Sequence, residues 1–232
     1  MIRDPADILT DAPPPPADAR LAYGNGPLQF GDMRRSDGEG LAVVFHGGSW
    51  KATYNLIHLG HLCVALRDSG IASFNVEYRR VGDPGGGWPG SLDDVLLAVD
   101  YARGLARRLV LVGHSAGGHL ALLAAARLEL PVVAVAAVSD PATWANDAVR
   151  AFFGGEPQPE GSPLAQLPLG APQVLVHGTR DDVVPFEQSA RYAEAAGGEA
   201  ELVPLDGAGH FEPIDPLSPE SAITRAAVER LL

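Results

Sequence analysis

A chain of 232 residues, 46% of them hydrophobic, is long enough to bury one sizeable core. Its formal net charge of −12, with the acidic residues dispersed, excludes a surface built for nucleic acid or an anionic membrane, since both need concentrated Lys and Arg. No apolar run approaches the roughly 20 residues of a membrane helix, and the first residues show no secretory leader, so a cytoplasmic location is expected.

Residues 1–20 contain the run Pro13–Pro16, which suits neither helix nor central strand, and are expected to form an arm on a single domain spanning 21–232. Leu21–Arg35 reads as two short antiparallel strands turned at Gly24-Asn25-Gly26-Pro27. Leu41–Phe45 is the first continuous buried strand and runs into His46-Gly47-Gly48-Ser49-Trp50. Helical spacing over Tyr54–Ser69 stops at Gly70. This segment holds the single cysteine, Cys63, read as a buried structural thiol, which cannot form an internal disulfide. It also holds His58 and His61, which lack a carboxylate or cysteine at ligand spacing, so no metal site is expected.

Ile71–Tyr78 is a further strand, and Arg79–Gly90 is too rich in Gly and Pro for regular structure. Ser91–Arg107 follows as a helix, with Ser91 as N-cap and Asp93 and Asp94 in its first turn. The apolar run Leu109–Val112 turns sharply through Gly113-His114-Ser115-Ala116-Gly117-Gly118 into an Ala/Leu-rich helix reaching Arg127. Val132–Val138 is another strand. Residues 141–172 are expected to hold one or two short helices and are the only candidate for a small cap. Gln173–His177, a helix over Phe186–Ala196, Glu201–Leu205 and a C-terminal helix over Ser218–Leu232 complete the chain. This alternation predicts an α/β fold with a doubly wound, mostly parallel sheet of about eight strands.

In such a sheet, ligands bind beyond the carboxyl ends of the strands. The polar outliers fall there: His46-Gly47-Gly48, Ser115, Asp181-Asp182 and His210. G-x-S-x-G between a strand and a helix is the context of a nucleophile elbow, which makes Ser115 the candidate nucleophile. A serine hydroxyl is nearly inert at neutral pH and needs a base, a carboxylate to fix the base's tautomer, and amides to hold an oxyanion. His210, in a Gly-rich loop after the last strand, is the best base. His46 and His177 sit where strands meet glycine turns and are read as braces, while His114 flanks the nucleophile and His119 lies inside the following helix. For the carboxylate, Asp181 and Asp182 compete, with Asp140 and Asp206 as outsiders, and the residues alone do not rank them. The oxyanion donors are expected to be the amide of Ala116 and one from the glycine turn, Gly48 ahead of Gly47.

Together, His46-Gly47-Gly48-Ser49-Trp50, Gly113-His114-Ser115-Ala116-Gly117-Gly118, His177-Gly178-Thr179-Arg180-Asp181 and Gly209-His210 resemble the α/β-hydrolase fold superfamily, in which the triad runs Ser, Asp, His along the chain. H-G-G-x-W is similar to the kynurenine formamidase (arylformamidase) signature. His177 to Pro185 resembles the catalytic domains of prolyl-oligopeptidase-type enzymes and related esterases, and that resemblance implies Asp181 as the acid. The chain lacks the propeller of those peptidases and has Ser49 where hormone-sensitive-lipase-like esterases have a third glycine. A compact esterase or formamidase is therefore expected.

Trp50, Trp88 and Trp144 each follow a different strand on the side of Ser115, and at least two are expected to line an apolar pocket for a small aromatic or acyl substrate. The expected activity is that of a carboxylesterase acting on a small-molecule ester. The alternatives are an arylformamidase, then a small peptidase or thioesterase, then a non-catalytic binding protein of the same fold. No metal or organic cofactor is implied.

Overall fold

In chain order the strands are β1 (Ala19–Ala22), β2 (Phe30–Arg34), β3 (Gly40–Phe45), β4 (Ala72–Val76), β5 (Arg108–His114), β6 (Val132–Val135), β7 (Gln173–Gly178) and β8 (Ala200–Leu205). The α-helices are α1 (Gly60–Asp68), α2 (Gly90–Ala102), α3 (Ala116–Leu128), α4 (Asp147–Phe153), α5 (Glu187–Ala196) and α6 (Ser221–Leu231). The structure, a computed structural model, describes residue 7 and residues 13–232. The expected arm over 1–20 therefore lies largely outside the described residues. Its described part rests on the domain, where Pro15 O accepts from Arg34 Nη2 (2.7 Å) and Asp18 Oδ2 from the Arg35 amide (2.6 Å).

All eight strands form one sheet in the order β1-β2-β4-β3-β5-β6-β7-β8. β1 and β2 pair antiparallel, as does β2 with β4, and every pair from β4 onward is parallel. The central strands carry unbroken apolar runs because both of their faces are covered. Leu109 and Leu111 of β5 pack with α2, α3 and α4 on one side, while Val110 and Val112 pack with α1 and α6 on the other. This is the doubly wound α/β arrangement expected from the alternation of elements.

Local differences have local causes. The segment expected as one helix over Tyr54–Ser69 begins as a 3-10 turn over Leu56–Leu59, where the Asn55 side chain accepts from the Ile57 amide before α1 starts. Ser91 is not the cap of α2 but lies inside its first turn, and its hydroxyl donates to Arg79 O (2.6 Å). The helix also ends five residues before Arg107, in a turn closed by Gly104 N to Tyr101 O (3.0 Å). β6 stops at Val135 because Ala136 takes a φ of 46° and leaves the strand path. Cys63 is a free, buried thiol in α1, and burial pushes its pKa up to about 11. Among the described residues, no helix is long and apolar enough to cross a membrane.

Candidate active site

β5 delivers Ser115 at the centre of the sheet, and α3 begins at the next residue. The serine sits at φ 55° and ψ −120°, a conformation that costs a non-glycine residue about 1–3 kcal/mol and persists only where its surroundings enforce it. Here its amide donates to Val135 O (2.9 Å) and its carbonyl accepts from the His119 amide (3.0 Å). The glycines leave room for the turn. A Cβ on Gly113 would lie 2.2 Å from Gly117 O, and one on Gly117 would lie 2.1 Å from Phe45 O.

Ser115 is 7% exposed and lies on the wall of a cavity of about 230 Å³, together with Gly48, Tyr54, His58, Val183, His210 and Phe211. A larger hollow of about 550 Å³ opens at the opposite end of the sheet, by Gly40 and Arg108 at the amino ends of β3 and β5. It is therefore remote from the strand ends that present Ser115 and Asp181.

Asp181, just beyond β7, is oriented by four donors. Its Oδ2 accepts from His210 Nδ1 (2.7 Å) and His177 Nε2 (3.1 Å), and its Oδ1 from the amides of Val183 and Val184 (both 2.8 Å). Burial alone would push this carboxyl up. The hydrogen bonds from His177, His210 and the Val184 amide outweigh it and hold the group well below the usual carboxylate range. A charged Asp181 in turn fixes the proton of His210 on Nδ1, leaving Nε2 as the lone-pair nitrogen.

The rival carboxylates are placed elsewhere. Asp182 is exposed, Asp140 pairs with Arg191 (3.4 Å), and Asp206 accepts from the Thr179 hydroxyl (3.4 Å). His177 braces its loop as expected, taking a bond from Ser189 Oγ (2.7 Å) and donating from Nε2 to Asp181 and to Val184 O (3.0 Å).

The loop after β3 is anchored through His46, whose Nε2 donates to Glu77 Oε1 (3.0 Å), while Tyr78 Oη donates to His46 O (2.6 Å). Glu77 also pairs with Arg80 (2.8 Å) and accepts from the Leu56 amide (3.2 Å), so the carboxyl end of β4 supports both flanks of the loop. Gly47 lies against Ser115, where a Cβ would come within 3.1 Å of Ser115 Cβ. Gly48, at φ 104°, lies under Tyr54, where a Cβ would meet Tyr54 Cβ at 2.3 Å. Ala116 opens α3, so its N–H has no acceptor within the helix.

The tryptophan expectation is corrected here, since none of the three lines the cavity at Ser115. Trp50 takes a φ of 56°, is 1% exposed and stacks on Phe152 with ring centroids 4.7 Å apart. Trp88 and Trp144 pack partly buried against the same core, Trp88 on Phe153 (5.6 Å). The aromatic wall comes instead from Tyr54 and Phe211. Phe211 directly follows His210 and could have been found from that adjacency, whereas nothing in the sequence marks Tyr54. Among the described residues, no cluster of three or more His, Cys, Asp and Glu could hold a metal ion.

Comparison with known proteins gives this geometry a context. The profile of the BD-FAE family matches residues 32–150, just over half of the chain, taking in the loop after β3 and Ser115 but not Asp181 or His210. Esterase LipC of Mycobacterium tuberculosis is 28% identical over 244 residues, covering 84% of this chain, which spans 60% of that relative's length. Kynurenine formamidase avaC of Aspergillus versicolor is 28% identical over 211 residues, or 65% of this chain and 73% of the relative. A thermophilic esterase from the Planctomycetes species Thermogutta terrifontis superposes with a TM-score of 0.77 at 21% identity, covering 93% of both chains. The chain belongs to the BD-FAE family, on an α/β-hydrolase fold.

Proposed function

We propose that the protein is a serine hydrolase that cleaves small carboxylic esters through an acyl-enzyme. The observation that carries this reading is that His210, bonded at 2.7 Å to a charged Asp181, lines one cavity with Ser115. Ser115 Oγ gives its proton to His210 Nε2 and attacks the ester carbonyl. The amides of Ala116 and Gly48, with Gly47 beside them, hold the oxyanion. His210 then passes the proton to the departing alcohol, and water activated by the same nitrogen releases the carboxylic acid. Asp181 orients His210 and stabilises its charged form. No cofactor takes part in this scheme.

The cavity of about 230 Å³ is below the roughly 300–1,000 Å³ of drug-sized sites, and Tyr54, Val183 and Phe211 line it, which favours a short acyl group. A second reading, hydrolysis of an N-formyl aryl amide, draws support from the formamidase relative. The two reactions share one acyl-transfer mechanism and differ in pocket fit. A cytoplasmic setting belongs to the same proposal and rests on the single unpaired cysteine.

Steady-state hydrolysis of p-nitrophenyl esters from acetate to octanoate, beside N-formylkynurenine, tests the reading. Turnover should be greatest for acetate or butyrate and fall by about tenfold or more towards octanoate, the loss expected when a chain outgrows its pocket by several methylenes. Faster turnover of the formamide than of any ester would install the second reading. Turnover of neither would leave a binding protein of the same fold.

A further inference from the structure

His210 leaves β8 on a loop containing Gly207 and Gly209, and Asp181 holds its ring at Nδ1 alone. A second hold acts on its main chain. His114 Nε2 lies 3.0 Å from His210 O, and His58 Nε2 lies 2.9 Å from His114 Nδ1. All three residues are buried, at 0% for His114, 6% for His58 and 4% for His210.

The chemistry of the acceptor gives this chain a direction. A carbonyl oxygen only accepts, so His114 carries its proton on Nε2. Burial first, then the neighbouring histidines, push His114 well below its ordinary value and lower His58 to about 3. Both rings are therefore neutral. The Nδ1 of His114 must accept, and His58 must donate from its Nε2. His58 Nδ1 is left buried without a partner, a costly position for a polar atom, which is understandable if the ring is kept for what its other nitrogen does.

We propose that His58 and His114 form a one-way hydrogen-bond relay that positions His210, tying the loop of the base to the residue immediately before the nucleophile. This rests on the Ser115, His210 and Asp181 reading above. His114 is the last residue of β5, a strand paired on both sides, and pairs with Val135 of β6, so its backbone is fixed at the centre of the sheet. The bond to His210 O carries that rigidity into a glycine-rich loop. Ring contact reinforces it, with His114 and His210 centroids 4.6 Å apart and Phe211 edge-on to His210 at 5.0 Å. Both residues act through His210 and are positioning residues.

Two substitutions and one spectrum test the relay. His114→Leu keeps the bulk and removes the donor, whereas His114→Gln keeps an N–H that can reach His210 O. On p-nitrophenyl acetate, His114→Leu should lower kcat by about tenfold to a hundredfold, the loss expected from roughly 1 Å of misplacement, with KM within about twofold. His114→Gln should recover most of that loss at a similar melting temperature. Nitrogen NMR of the wild-type protein should find His114 and His58 neutral at pH 7, each with its proton on Nε2. The relay is overturned by a His114→Leu enzyme within twofold of wild-type kcat, by a His114→Gln enzyme no better than the leucine variant, or by a proton on His114 Nδ1. If the wild type shows no Ser115-dependent turnover, the functional reading falls, while the NMR result still decides the hydrogen bonds. The spectrum needs no variant, so a misfolded substitution does not spare the proposal.

Discussion

Ser115→Ala is expected to lower kcat for the best ester by about 10⁴- to 10⁶-fold and to abolish labelling by a fluorophosphonate, while the protein stays folded. The size follows from the loss of the covalent route, since water attacking within the same oxyanion site is all that remains. Folding should survive because alanine also carries a Cβ. The backbone at φ 55° and ψ −120° is held by the bonds to Val135 O and from the His119 amide, and neither involves the hydroxyl. Circular dichroism should therefore place the variant's melting midpoint within a few degrees of wild type, corresponding to a change of about 0.5 kcal/mol or less. A variant that keeps a tenth of the wild-type kcat would remove Ser115 from the mechanism.

Asp181→Asn should cost about 10⁴ in kcat, for a reason visible in the donors around it. The amides of Val183 and Val184 both point at Oδ1, so an asparagine must place its carbonyl oxygen there. Its amide nitrogen then takes the position of Oδ2, facing His210 Nδ1 and His177 Nε2. His177 still has Val184 O as an acceptor. His210 has to accept at Nδ1 instead, which moves its proton to Nε2 and leaves no lone pair there for the serine proton. Steady-state kinetics, with nitrogen NMR to locate the proton of His210, checks both halves of the argument. A kcat within tenfold of wild type, or a proton still on Nδ1, would contradict it.

How much of this could be read before the fold was known depends on whether a residue's role is set by the chain around it or by a partner far away. Ser115 was legible because a strand, a tight turn and a helix are local, and the glycines that permit the turn stand beside it. The sheet was legible for the same reason, since Leu109–Val112 without polar alternation already requires cover on both faces. Asp181 against Asp182 was not, because adjacent residues leaving a strand differ only in direction. The resemblance to related hydrolases pointed to Asp181, and the bonds from His210, Val183 and Val184 meet that residue.

The tryptophans show the limit most clearly. Each follows a strand in the chain, but Trp50 turns back at positive φ to stack on Phe152, far away in the sequence. His58 is the converse case. Its spacing to His61 raises only the question of a metal site, for which no further ligand is present at ligand spacing in the sequence, yet its ring reaches His114, and through it His210, across long separations in the chain.

The most direct test of the account is to treat the wild-type protein with a fluorophosphonate, weigh it intact and map the adduct by peptide mass spectrometry. The account predicts one adduct per chain, carried on Ser115. A folded protein that takes up no label, or takes it up on another residue, would contradict it.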